Sequence, residues 1–192
     1  LISIKSENEP VFLHTHGRIL EYVREGKITG LRIDHIDGLY DPAEYLIRVR
    51  ENFGDIYVVV EKILGYDEEF PSWWPVQGTT GYDYGTYLNG IFCNRESMER
   101  FDEIYTNFIG WKYRYEPLLV EKKKLIIEKH MTGDIDNLAY LLKTVSGRYR
   151  HGNDFTLYSL RRAIIEIMAH FPVYRTYINH NHIGKSDSDY II

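Results

Sequence analysis

The sequence predicts an α/β fold in which short strands pair in parallel, helices connect them, and a largely helical insertion interrupts the alternation. Three observations carry this. Two strand-like runs, Thr29–Asp34 and Asp55–Val60, each follow a helical pattern across a short connection, which is the signature of βα units. The right-handed crossover rule makes such strands parallel neighbours in one sheet, so the residues that end them share its C-terminal edge. From about Glu96 to His170 the apolar spacing is helical almost throughout, too much helix for a single crossover.

Taken in order, Val11 to Glu25 places Phe12, Ile19, Leu20 and Val23 at helical spacing, and Gly26 follows as a C-cap. In the run Gly30-Leu31-Arg32-Ile33-Asp34, period two sets Leu31 and Ile33 on one face and Arg32 and Asp34 on the other. Asp41-Pro42-Ala43-Glu44 combines an N-cap acceptor, proline at the first helical position and an acid three residues after the cap, predicting a helix to about Glu51. Ile56-Tyr57-Val58-Val59-Val60 reads as a strand buried on both faces, ending on Glu61. Gly65 to Gly90, punctuated by glycines and prolines, reads as a long functional loop. Helices are expected near Glu96–Phe108, Glu116–His130, Asp134–Val145 and Asp154–Phe171, with Val173–Ile178 returning as a strand and Ser186–Asp189 suited to a helix's opening turn. The expected organisation is residues 1–90 in the sheet-bearing part, 91–170 in the helical insertion and 171–192 back in the first part.

Composition narrows the partners. A formal charge of −5, from 23 Lys and Arg against 28 Asp and Glu, offers no basic excess for a phosphate backbone, so no nucleic acid is expected. No run approaches about 20 apolar residues, so no membrane span is expected. The lone Cys93 has no partner within the chain and fits a reducing compartment, which makes the cytoplasm the expected location. Leu1 in place of Met, and the apolar Tyr190-Ile191-Ile192, lead to the expectation of a piece of a longer chain. Seventeen tyrosines suit sugar rings as well as ordinary cores.

Asp34 and Glu61 are the candidate chemistry. Two carboxylates that leave neighbouring parallel strands can face each other across a cleft, and glycosidic bond exchange with retention needs one as nucleophile and one as acid/base, about 5 to 5.5 Å apart. Arg32, two residues before Asp34, is placed to keep it ionised; the apolar run before Glu61 is a setting that favours its protonated form, and Lys62 opposes that if close.

Gly30-Leu31-Arg32-Ile33-Asp34 and Val58-Val59-Val60-Glu61 resemble the strand-four and strand-five motifs of the α-amylase superfamily, glycoside hydrolase family 13. Where many amylases carry Lys-His three and four residues after the nucleophile, this sequence has Asp37-Gly38. Together with Arg32 to Leu39, Val60 to Leu64, Trp74-Pro75-Val76, Gly78 to Asp83 and Phe171 to Tyr177, the pattern is similar to the maltooligosyltrehalose synthase family.

The resemblance implies part of a (β/α)8 TIM barrel around strands four and five, no cofactor, no metal, and a maltooligosaccharide or other α-glucan as substrate. The implied reaction moves the reducing-end α-1,4 linkage to α,α-1,1. Asp34 is then the nucleophile and Glu61 the acid/base, with Arg32, His35, Asp37, Lys62, Trp74, Tyr82 and Asp83 as substrate-binding candidates and the Gly65 to Gly90 segment, with Trp73, as a lid. The superfamily's motifs near strands three and seven have no match and are expected outside the 192 residues, so the rest of the barrel is missing and the chain alone is expected to be inactive. A hydrolase or 4-α-glucanotransferase with the same carboxylates, and an inactive piece that only binds carbohydrate, are the alternatives. The pairs His14/His16 and His180/His182 lack the further ligands that zinc requires.

Overall fold

Three short strands set the frame of the sheet-bearing unit. β1 (Gly30–Ile33), β2 (Tyr57–Val60) and β3 (Gly78–Thr79) pair in that order, all parallel, with Leu31 opposite Val58, Ile33 opposite Val60 and Val60 opposite Thr79. The computed structural model describes residues 4–65, 67–112, 114–180 and 182–191. It divides the chain into two compact units, residues 1–93 with 173–192 and residues 94–172. The whole is a mixed α/β chain, mostly helical, with a small parallel sheet.

The strand alternation holds. Leu31, Ile33, Val58 and Val60 share the face that packs on two helices, α1 (Glu9–Arg24) and α2 (Pro42–Phe53). Asn8 caps α1 by accepting from the Val11 N–H, and Asp41 caps α2 by accepting from the Glu44 N–H at 3.0 Å, so each helix starts where its orphan donors find an acceptor. Phe12, Leu46, Val49, Phe53, Val58 and Val60 are buried together, and each such side chain contributes about 1.5–3 kcal/mol by leaving water. His16 stacks on Phe12 and bonds the Tyr45 hydroxyl at 2.8 Å, closing the outer rim of this layer.

Three expectations need correction. β2 is not buried on both faces: Val58 and Val60 are buried, Val59 is half-buried and Tyr57 is exposed, because both helices lie on one face of the sheet. Residues 65–90 are not one loop, since they contain β3 and α3 (Tyr82–Ile91); Gln77 docks the segment by donating its N–H to the Val58 carbonyl and accepting the Val58 N–H on its side chain. Val173–Ile178 does not return as a strand. Its alternation is strand-like, but the segment is held by side chains instead: Arg175 donates to the carbonyls of Asp37, Leu39 and Tyr40, and the Tyr177 N–H donates to Asp187 Oδ1. A five-residue helix, α8 (Lys185–Asp189), follows.

The second unit contains α4 (Met98–Ile109), α5 (Tyr115–His130), α6 (Thr132–Ser146) and α7 (Leu157–His170), near the expected positions. Its core is small: Ile127, Ile135, Ala139, Ile164 and Ala169 are buried, joined at the surface by Lys124–Glu166 and Arg161–Asp136 ion pairs. No helix among the described residues is long and apolar enough to cross a membrane.

Candidate active site

The C-terminal ends of the three strands deliver the candidate residues to one edge. Arg32 and Asp34 project from the uncovered face of β1, and the Arg32 guanidinium contacts Asp34 Oδ1 at 2.9 Å and Glu61 Oε1 at 3.7 Å. One cation therefore spans both carboxylates. The Glu61 N–H donates to the Ile33 carbonyl at 2.7 Å, extending the ladder past β2 and fixing the backbone from which the carboxylate leaves.

The turn after Asp34 completes the environment of Glu61. His35 has φ +46 and ψ +49, the left-handed region that a residue with a Cβ adopts only at a cost. Ile36–Gly38 then forms one 3-10 turn with Ile36 fully buried beneath it. In this conformation the His35 N–H donates to Glu61 Oε2 at 2.9 Å, while the Tyr82 hydroxyl, from the first residue of α3, approaches Oε1 at 3.4 Å. A Cβ at Gly38 would sit 2.7 Å from His35 Cε1, so the exposed imidazole lies against bare backbone. Asp83 is half-buried and accepts from the Thr79 hydroxyl at 2.5 Å, which ties the start of α3 to β3.

Lys62 and Trp74 are not brought to this surface. Lys62 is fully buried, with its ammonium 2.6 Å from Glu68 Oε1 and 3.4 Å from Asp37 Oδ2, and 5.5 Å from the centre of the Tyr177 ring. Asp37 also accepts from the Tyr177 hydroxyl. Burial, followed by the bond to Asp37 and the nearby Asp37 and Glu68 charges, raises the Tyr177 phenol well above its ordinary value, with Arg175 opposing, so it remains a donor. Trp74 is buried edge-on to Tyr177 and Phe70. Trp73 is partly exposed, with its ring 4.2 Å from that of His182. Glu68, Phe70 and Trp74 thus supply buried charge and core, which a free lid does not.

Of the expected site residues, Asp34, Glu61, Arg32, His35 and Tyr82 meet in one cluster; Asp37, Lys62, Trp74 and Asp83 support it from beneath or beside. Glu68, Arg175 and Tyr177 complete the buried network. No sequence spacing announces Glu68, but period two set Lys62 on the face opposite Glu61, and that signal pointed inward. Asp34 and Glu61 line neither the cavity of about 600 Å³ bounded by Glu68, Trp73, Arg175 and Asp187 nor the hollow beside Tyr82 and Thr86; they stand on the uncovered sheet edge. Among the described residues, no group of three or more His, Cys, Asp or Glu side chains is arranged to hold a metal.

No family model matches the chain. A curated relative from Mycobacterium tuberculosis, a putative maltooligosyl trehalose synthase, is 29% identical over 177 residues, which is 91% of this chain and 22% of the relative. The solved maltooligosyltrehalose synthase from Arthrobacter ramosus superposes with a TM-score of 0.77 at 30% identity, over 91% of this chain and 22% of that one. A glycosyltrehalose synthase structure, DSM5389, gives a TM-score of 0.79 at 33% identity, over 95% of this chain and 22% of that one. The chain therefore spans about a fifth of the length of these relatives. Over nine-tenths of its own length, it is similar to one segment of the maltooligosyltrehalose synthases, the family that its strand-end motifs resemble.

Proposed function

We propose that these 192 residues form part of the catalytic (β/α)8 barrel of a glucan isomerase, contributing its strands four and five, and that residues 94–172 are the helical insertion of that barrel. The observation that carries the reading is the single Arg32 guanidinium shared by Asp34 and Glu61, with the His35 N–H and the Tyr82 hydroxyl on the Glu61 carboxylate. A retaining pair needs its carboxyls about 5–5.5 Å apart, and a common cation contact is compatible with that spacing.

In this reading Asp34 attacks the anomeric carbon of the penultimate glucose of a maltooligosaccharide, forming a glycosyl ester, while Glu61 protonates the departing oxygen of the terminal glucose. The His35 N–H holds Oε2 and the Tyr82 hydroxyl lies against Oε1, which fixes the plane of the carboxyl group that delivers the proton. The released glucose turns within the cleft and its own anomeric hydroxyl attacks the anomeric carbon that bears the ester. Glu61 takes that hydroxyl proton, Asp34 leaves as carboxylate, and the linkage becomes α,α-1,1. His35 and Tyr82, exposed beside Glu61, contact the substrate in this scheme, and Asp83 holds Tyr82's helix in place. Keeping water from the ester separates isomerisation from hydrolysis.

The reaction requires the remaining barrel and a third carboxylate from outside these residues, so activity belongs to the full-length protein. Incubated with maltopentaose, that protein should remove reducing ends without accumulating glucose. Steady glucose release would indicate a hydrolase, and redistribution of chain lengths with reducing ends preserved would indicate a glucanotransferase; either contradicts the isomerase reading.

A further inference from the structure

The chain places a fully buried lysine immediately after the acid/base glutamate, and its two carboxylate partners come from two different loops. Asp37 belongs to the turn after β1, and Glu68 to the segment after β2, where its other oxygen accepts the Gly65 N–H at 2.8 Å. We infer that Lys62 is a positioning residue for Glu61, acting through Asp37 and the left-handed turn at His35. The inference rests on the function proposed above and assigns Lys62 a role other than substrate contact.

The N–H that reaches Glu61 Oε2 belongs to His35, whose backbone is in a conformation that persists only where the surroundings over-determine it. Those surroundings lie on the far side of the turn. Lys62 holds the Asp37 carboxylate, the Tyr177 hydroxyl donates to the other Asp37 oxygen, and Arg175 donates to the Asp37 carbonyl at 2.9 Å and the Leu39 carbonyl at 2.5 Å. The Lys62 ammonium is thus the cation set against both the Asp37 and the Glu68 carboxylates, while Arg175 holds the backbone of the same turn. Asp34, by contrast, is held by Arg32 from its own strand, which the Lys62 ammonium does not touch. Removing the Lys62 charge takes away one hold on the Asp37 carboxylate, loosens the turn that aims the His35 N–H at Glu61, and leaves the nucleophile's ion pair in place. The deficit then falls on proton transfer.

Leaving-group dependence tests this in the full-length protein. Fluoride departs from α-maltosyl fluoride with its bonding electrons as Asp34 forms the ester, and needs no proton, whereas the glucose departing from maltopentaose does. For Lys62→Met we expect kcat on maltopentaose to fall about 100-fold with KM within about threefold, and first-turnover fluoride release to stay within about fivefold of the parent. Equal losses on both substrates would reduce Lys62 to a general structural role, and no loss on either would remove any role; both overturn the inference. Glu61→Gln, measured alongside, should show the same selectivity at larger magnitude. If Glu61→Gln retains maltopentaose turnover, the proposed function fails instead. Should Lys62→Met not accumulate folded, Glu68→Gln keeps the lysine but removes its 2.6 Å ionic partner, and the same selectivity is expected at about tenfold.

Discussion

The two strand-end loops each contribute one carboxylate to Arg32 and another to Lys62, and the two resulting clusters differ in nearly every physical respect. Around Arg32, the side chains of Asp34 and Glu61 are 72% and 22% exposed; around Lys62, those of Asp37 and Glu68 are 11% and 7% exposed. The first pair is open to a substrate and weakly coupled through water, which suits groups that must change partners. The second is enclosed, so each charge depends on the others, which suits a brace. Residue type and loop origin are the same, and the face of the sheet decides the role.

Breaking each cluster should therefore give opposite signatures. The largest expected effect is Glu61→Gln, which should lower maltopentaose turnover by about 10³-fold or more in the full-length protein, measured as loss of reducing ends. Next is Lys62→Met, which leaves two buried carboxylates uncompensated and should destabilise the fold by about 3–5 kcal/mol, read from denaturant unfolding; replacing Lys62, Asp37 and Glu68 together with neutral residues should recover most of that. Arg32→Met should invert this pattern, changing stability by less than about 1 kcal/mol because the pair is exposed, while turnover falls sharply. His35→Gly should raise stability by about 1 kcal/mol by relieving the left-handed backbone, while it keeps the N–H donor on Glu61 and removes the imidazole from the substrate side.

The smallest effect concerns His16, away from both clusters. Burial lowers its pKa below the ordinary 6.5, partly offset by the bond to the Phe12 carbonyl, and Tyr45 beside it is pushed up to about 12 by burial. Between the folded pKa and 6.5 the unfolded chain binds more protons, so stability rises with pH there. The contribution is fully present above 6.5 and lost as pH falls through the folded value. The unfolding midpoint of a His16→Phe variant should lose this dependence.

The helices and the first strand were legible because their signals are local. Asp41 and Pro42 announce α2 by satisfying or omitting backbone donors, and Arg32 and Asp34 share a face by period two alone. β3 was not legible, since Gly78–Thr79 is a two-residue strand made by Gln77 docking on Val58, a contact 19 residues distant. The opposite error came at Val173–Ile178, where an alternating pattern is satisfied by Arg175 and Asp187 rather than by a neighbouring strand. At the site, chemistry-bearing residues were visible but their burial was not uniformly so. Trp74 carries no periodic signal, whereas the alternation that exposes Glu61 also sends Lys62 inward.

The division of labour between Asp34 and Glu61 is tested most directly by trapping the covalent intermediate. Full-length protein treated with a slow-turnover fluoroglycosyl fluoride, digested and analysed by mass spectrometry, should carry one glycosyl adduct, on the peptide containing Asp34. An adduct on Glu61, or full inactivation with Asp34 unmodified, would contradict the account.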